Sequence, residues 1–180
     1  VNLYIGQPPQ RQALILDTGS RLTAIACQPC TDCGRLLGKK SANPLFVPSR
    51  STTLQNVPCN ECHWSDSTSV CSKGGNSNYN RCELTQKYTE GSSWSAHEVN
   101  DIVWPAEEDK DTLENFMDLA VPFTFACQTV LRGLFRKQYA DGILGLERSE
   151  YSLITAMHKS GAIPHNAFSL CLTTDGGYLG

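Results

Sequence analysis

Apolar residues in this chain recur in short runs and alternations, the spacing of strands rather than helices. Val1 to Leu16 reads as a hairpin: an apolar first strand, a turn at Gly6-Gln7-Pro8-Pro9-Gln10, then the buried run Ala13-Leu14-Ile15-Leu16. Asp17 falls where that second strand ends. From Cys27 to Cys82 the composition turns to Ser, Thr, Asn, Pro and Cys with little periodicity, so crosslinks rather than a thick core are expected to order it. Strand-like text returns over Leu84–Trp104, gives way to an acidic turn at Glu107-Glu108-Asp109, and resumes at Leu119–Phe125. One helix is predicted between Ser149 and Ser160. Leu153, Ile154 and Met157 sit there at helical spacing, with a serine start and Gly161 and Pro164 as stop signals. No internal repeat is found, and the pattern predicts an all-β fold, closed and mainly antiparallel, with one or two short helices.

Composition narrows the classes. The 180 residues are 40% hydrophobic and 18% charged with a net charge of -3, which fits one domain with a sizeable core and offers no basic footprint for nucleic acid. No run reaches the roughly 18 apolar residues of a membrane-spanning helix. Nine cysteines point to disulfides made in an oxidising compartment, hence the secretory pathway. Their odd number leaves at least one free or paired outside these residues. Val1–Ile5 reads as a strand and not as a leader peptide, so the chain is expected to begin inside a larger protein.

The candidate chemistry lies at Leu16-Asp17-Thr18-Gly19-Ser20. A carboxylate directly after a buried strand is held rigidly, and glycine lets backbone approach it without a Cβ. Thr18 and Ser20 add hydroxyls that can hold the acid or a facing loop. Asp and Gly are also ordinary turn residues, so the motif by itself is weak.

Its surroundings add more. Tyr4 to Gln10 and Leu14 to Ser20 resemble the opening of the pepsin-like aspartic proteases. In the same order, Ala140-Asp141-Gly142-Ile143-Leu144-Gly145-Leu146 resembles the element beside the catalytic loop. Phe168 to Leu172 and Gly176 to Gly180 resemble the crossover between lobes. The run Cys27-x-x-Cys30-x-x-Cys33, with Leu45–Thr53 and Pro58-Cys59-Asn60-Glu61-Cys62, is similar to the nepenthesin-type branch that includes plasmepsin V-like enzymes. Thr89–Ser92 and Cys33-Gly34 lean to the latter.

That resemblance implies a pepsin-like N-terminal lobe over residues 1–180, a closed antiparallel β-barrel with a cysteine-rich insertion at about 59–82. It implies disulfides Cys27–Cys30, Cys33–Cys127, Cys59–Cys82 and Cys62–Cys71, leaving Cys171 for a C-terminal lobe outside this chain. Tyr88-Thr89-Glu90-Gly91 would form the flap that closes over a peptide substrate. Two positions depart from the family: Ala24 stands where many pepsins have a tryptophan bonded to the flap tyrosine, and Ala96 replaces the usual glycine after the flap.

The implied reaction is hydrolysis of a peptide by water activated between two carboxylates, Asp17 and a partner, without cofactor or metal. Asp141-Gly142 and Asp175-Gly176 lack the hydroxyl residue after Asp, so the second acid is expected in the missing lobe, and the isolated chain is expected to be inactive. A catalytically dead, pepsin-fold binding or inhibitor protein is the alternative. A retroviral-type homodimer is disfavoured by chain length. A zinc site using Cys27, Cys30, Cys33 or Cys62 with His63 is disfavoured by the oxidising context. Cleavage specificity needs pockets from both lobes. The resemblance places the whole protein secreted or anchored in endomembranes.

Overall fold

The computed structural model describes residues 1–30, 33, 42–64, 69–73, 80–106, 117–174 and 176–180. The expected acidic turn at 107–109, Gly34 and Asp175 lie outside the described residues. The opening hairpin forms as anticipated, with β1 (Asn2–Ile5) antiparallel to β2 (Gln10–Asp17). There follow β3 (Ala24–Ala26), β4 (Gln55–Asn56), β5 (Ser69–Lys73), β6 (Asn80–Lys87), β7 (Ser93–Pro105), β8 (Val121–Arg132) and β9 (Gly142–Gly145). A separate two-stranded sheet, β10 (Leu170–Thr173) and β11 (Gly176–Leu179), ends the chain.

The main sheet runs in the order β1-β2-β9-β3-β8-β7-β6-β5, and β1 also pairs with β7. The pairings therefore close a ring through β2, β9, β3 and β8, and the fold is all-β as expected. Two of those pairings, β2 with β9 and β3 with β8, are parallel. The single α-helix among the described residues, α1 (Leu153–Lys159), is capped by Ser152, whose hydroxyl accepts the Thr155 amide. Ser149 lies just outside the helix. Its carbonyl accepts the hydroxyls of Ser152 and Thr155, so the serine start holds the approach to the helix rather than its first turn.

Strand β8 has apolar or small residues on both faces, and it separates two cores. Phe123, Phe125 and Cys127 pack with Leu3, Ile25, Val99 and the helix face of Leu153 and Met157. Ala126 and Leu131 pack with Ala24, Trp64, Trp94 and Ala96. Trp94 and Ala96 share one parity along β7 and Val99 and Val103 the other, which is the alternation of a strand buried on both sides.

The implied cysteine pairing is corrected at all four bridges. Cys27, just past β3, meets Cys127 on the parallel neighbour β8, because Ile25 is already in register with Cys127 there. Cys33 is thereby left to Cys30, across a separation of 3. In the insertion, Cys59 pairs with Cys71 and Cys62 with Cys82. Cys71 and Cys82 stand opposite each other on β5 and β6, while Cys59 and Cys62 flank one turn of 3-10 helix. Four sulfurs thus converge, and sequence spacing does not discriminate among their pairings. Cys171 is free.

Three buried acids fix the loops, each by accepting backbone N–H groups. Glu98, fully buried, takes the amides of His63 (2.9 Å) and Trp64 (3.2 Å) and a ring nitrogen of His63 (3.3 Å), tying the insertion's base to β7. Asp101 accepts from the Thr53 hydroxyl at 2.5 Å and the Ile102 amide at 2.9 Å. Asp141 accepts the amides of Ala13 (2.8 Å) and Asn43 (3.0 Å) and the Asn43 side chain (2.7 Å). Charge-assisted bonds of this kind are the strong ones.

Two outcomes follow. Cys27–Cys127 closes a separation of 100 residues and Cys30–Cys33 one of 3. In chemical denaturation, replacing the first pair by alanine should cost roughly 4–5 kcal/mol, and the second less than half as much. Equal losses would contradict this. Strand residue His97 is held down to about 4, chiefly by burial and then by the Arg81 charge, with Glu83 opposing. Its unfolded form titrates near 6.5, so the unfolded chain binds the extra proton between about pH 6.5 and 4, and stability falls as pH drops through that window. The loss should be on the order of 2–3 kcal/mol, and His97→Gln should flatten that part of the stability profile.

Candidate active site

Asp17 is the last residue of β2 and lies in parallel register with Gly145 of β9. β9 is flanked on its other side by β3, with Ala24 opposite Ile143 and Ile25 opposite Gly142. These strands crowd together because β9 begins and ends on glycine. A Cβ on Gly145 would lie 2.7 Å from the carbonyl oxygens of both Ser20 and Leu22, and one on Gly142 would collide with the Ala24 carbonyl. The two loops leaving β2 and β9 are stitched to each other. The Leu146 amide donates to the Asp17 carbonyl (2.8 Å), the Glu147 amide to the Ser20 carbonyl (3.0 Å), and the Gly145 amide to the buried Thr23 hydroxyl (3.2 Å).

Within this frame the Asp17 side chain is half-buried, and each of its oxygens has a donor. The Gly19 amide reaches Oδ1 at 3.0 Å, and the Ser20 hydroxyl donates to Oδ2. Donors of this kind fix the plane of the carboxylate. Thr18 is exposed, and among the described residues its hydroxyl has no partner. Ser20 alone of the two hydroxyl residues therefore holds the acid within this chain. Asp141 is not a second member of the site, since its oxygens are occupied by Ala13 and Asn43.

The Tyr88–Gly91 segment forms a tight turn between β6 and β7. The Tyr88 amide donates to the Ser92 carbonyl (2.9 Å), the Gly91 amide donates to the Tyr88 carbonyl (3.0 Å), and Gly91 has a φ of 90° that favours glycine. Thr89, Glu90 and Gly91 are exposed. Tyr88 is half-buried, its ring against Phe135 at 5.0 Å, and the Trp94 indole Nε1–H donates to its hydroxyl at 3.4 Å. Its phenol is held above the usual value, first by burial, partly offset by the Trp94 hydrogen bond, and further by the negative charges of Asp17 and Glu90. The turn is thus within electrostatic reach of Asp17, and its phenol stays a hydrogen-bond donor. Ser92 ties the turn's base to the 3-10 helix Gly133–Lys137 by accepting the Leu134 amide at 3.0 Å.

Exposed apolar side chains accompany this constellation. Ile15 projects from the same face of β2 as Asp17 and is 45% exposed, and Leu134, beside Phe135, is 62% exposed. The arrangement is an oriented carboxylate, exposed apolar side chains and a tyrosine-bearing turn. Sequence reasoning missed Thr23, Trp94 and Phe135. Thr23 had no signal beyond a hydroxyl in an apolar run, and nothing local marks out the two aromatics. The cysteine sulfurs weighed as zinc ligands are all in disulfides, and the cluster Cys62, Cys82 and Glu98 accordingly offers no thiolate.

Comparison with known proteins gives the same picture. The profile of the family described as "Xylanase inhibitor N-terminal" matches residues 1–180. Aspartic protease 5 of Toxoplasma gondii is 31% identical over 99% of this chain and 19% of its own length. Plasmepsin V of Plasmodium falciparum is 29% identical over 99% of the chain and 28% of its own. Aspartic proteinase nepenthesin-1 of Nepenthes gracilis is 30% identical over 98% and 34% respectively. The chain therefore spans between about a fifth and a third of these relatives. It belongs to the pepsin-like aspartic protease family, as an N-terminal lobe of the nepenthesin and plasmepsin V type.

Proposed function

We propose that this chain is the N-terminal half of an aspartic endopeptidase, in which Asp17 is one of two carboxylates that activate water against a peptide bond. The observation that carries this reading is the Asp17 carboxylate, presented by paired parallel strands and oriented by Gly19 and Ser20. The second acid comes from a C-terminal lobe. Two such groups at close quarters share one proton, because two adjacent negative charges do not both persist. The ionised member takes a proton from water as it attacks the carbonyl carbon. The protonated member polarises the carbonyl oxygen and a proton is passed to the leaving amine. These roles belong to the pair, and neither is assigned to Asp17 alone.

The flap segment Tyr88-Thr89-Glu90-Gly91 covers the bound peptide and excludes water, and the exposed Ile15 and Leu134 receive its apolar side chains. Cys171 is the residue through which the lobe would be crosslinked to its partner. Four disulfides favour a protein of the secretory pathway, secreted or anchored in endomembranes. The rival reading, a binding protein of the same fold that has lost catalysis, gives no account of why the Asp17 carboxylate is so fully oriented.

The test is cleavage of an unstructured protein by the two-lobed protein near pH 5. Pepstatin should abolish it, and Asp17→Asn, which keeps shape but not charge, should lower kcat by at least about 100-fold. Residues 1–180 alone should be inactive. Activity that survives Asp17→Asn sinks the assignment, and tight protein binding without cleavage by the wild type supports the rival.

A further inference from the structure

Trp94 is almost fully buried (2% exposed), and it follows the flap turn at the start of β7. An indole N–H only donates, and in a dry core it needs an acceptor. The chain has three tryptophans, and among the described residues the buried Nε1 groups of Trp64 and Trp104 have no partner. Trp94 has one: its Nε1–H donates to the Tyr88 hydroxyl at 3.4 Å. The indole is accommodated by small neighbours, since Ala24, Ala96 and Ala126 belong to the same buried cluster and Leu131 stands opposite it on β8. Ala24, at the position where many pepsins carry the tryptophan that bonds the flap tyrosine, has no group with which to do so.

We propose that Trp94 is a positioning residue for the flap, holding the Tyr88 hydroxyl from the flap's own outgoing strand in place of a residue at position 24. The Tyr88 ring is then fixed at two points, by Phe135 against its face and edge at 5.0 Å and by Trp94 at its oxygen. Because Tyr88 spends an acceptor lone pair on the indole, its own O–H proton is left to donate to another group. A bond within one hairpin moves with the flap. A bond from β3 would instead have tethered the flap to the floor. The small residue at 24, which departs from the family pattern, fits this exchange: Ala24 lies in the same buried cluster as the indole.

The inference rests on the proteolytic reading above, and the experiment separates the two. In the two-lobed protein, Trp94→Phe should lower kcat/KM for an oligopeptide roughly tenfold, the scale of one lost hydrogen bond. Tyr88→Phe should lower it at least as far, and the double variant should be no worse than Tyr88→Phe alone, because Trp94 acts through that hydroxyl. Fully additive losses would overturn the proposal. Independently of turnover, Tyr88→Phe should shift the Trp94 indole N–H resonance and speed its exchange with solvent. An unchanged resonance and exchange rate would overturn the proposal even if Trp94→Phe fails to fold. Absence of turnover in the wild type contradicts the proteolytic reading alone, and the indole resonance then decides whether the bond exists.

Discussion

The side-by-side parallel pairing of β2 and β9 is the constraint on which the rest depends. It places Asp17 opposite Gly145, and it exists only because β9 presents glycine where the carbonyls of Ser20, Leu22 and Ala24 press in. Once the strands are that close, the loops beyond them exchange main-chain hydrogen bonds, from Leu146 to Asp17 and from Glu147 to Ser20. The carboxylate's own donors, Gly19 and Ser20, belong to the loop that is held in this way. A side chain at 142 or 145 would therefore act on the site from behind, without touching it.

Buried acids hold the same frame from the other end. Asp141 leads into β9 and grips Ala13 on β2 and Asn43. Glu98 fastens the base of the cysteine-rich insertion to β7, the strand that leads away from the Tyr88–Gly91 turn. Both sit where a charge would be costly if unpaired, and both meet that cost with backbone N–H groups. The free energy of these contacts goes largely into where loops lie, since the cores on either face of β8 already account for the compactness of the sheet.

The sequence made Asp17, the hairpin before it and the single helix legible, because each rests on local pattern: an apolar run ending in a turn, or a 3.6-residue stripe between stop signals. Ser20 was readable for the same reason. What was not legible is what depends on parallel neighbours far apart in the chain. Cys27 finds Cys127 only because β3 lies beside β8, whereas the family resemblance implied Cys30 instead. The Cys59, Cys62, Cys71 and Cys82 pairing is decided by which sulfur of an opposed strand pair the 3-10 turn approaches. Trp94 is core, but its one polar atom donates to Tyr88, a contact that local pattern does not show. The flap's sequence alone gave the tyrosine and not what holds it.

A crystal structure of the two-lobed protein with pepstatin bound tests the central claim most directly. The account predicts the inhibitor's hydroxyl within about 2.6–3.2 Å of the Asp17 carboxylate and of a second carboxylate from the other lobe, with Tyr88 lying over the bound chain. An inhibitor seated away from Asp17, or an Asp17 with no carboxylate facing it, would contradict it.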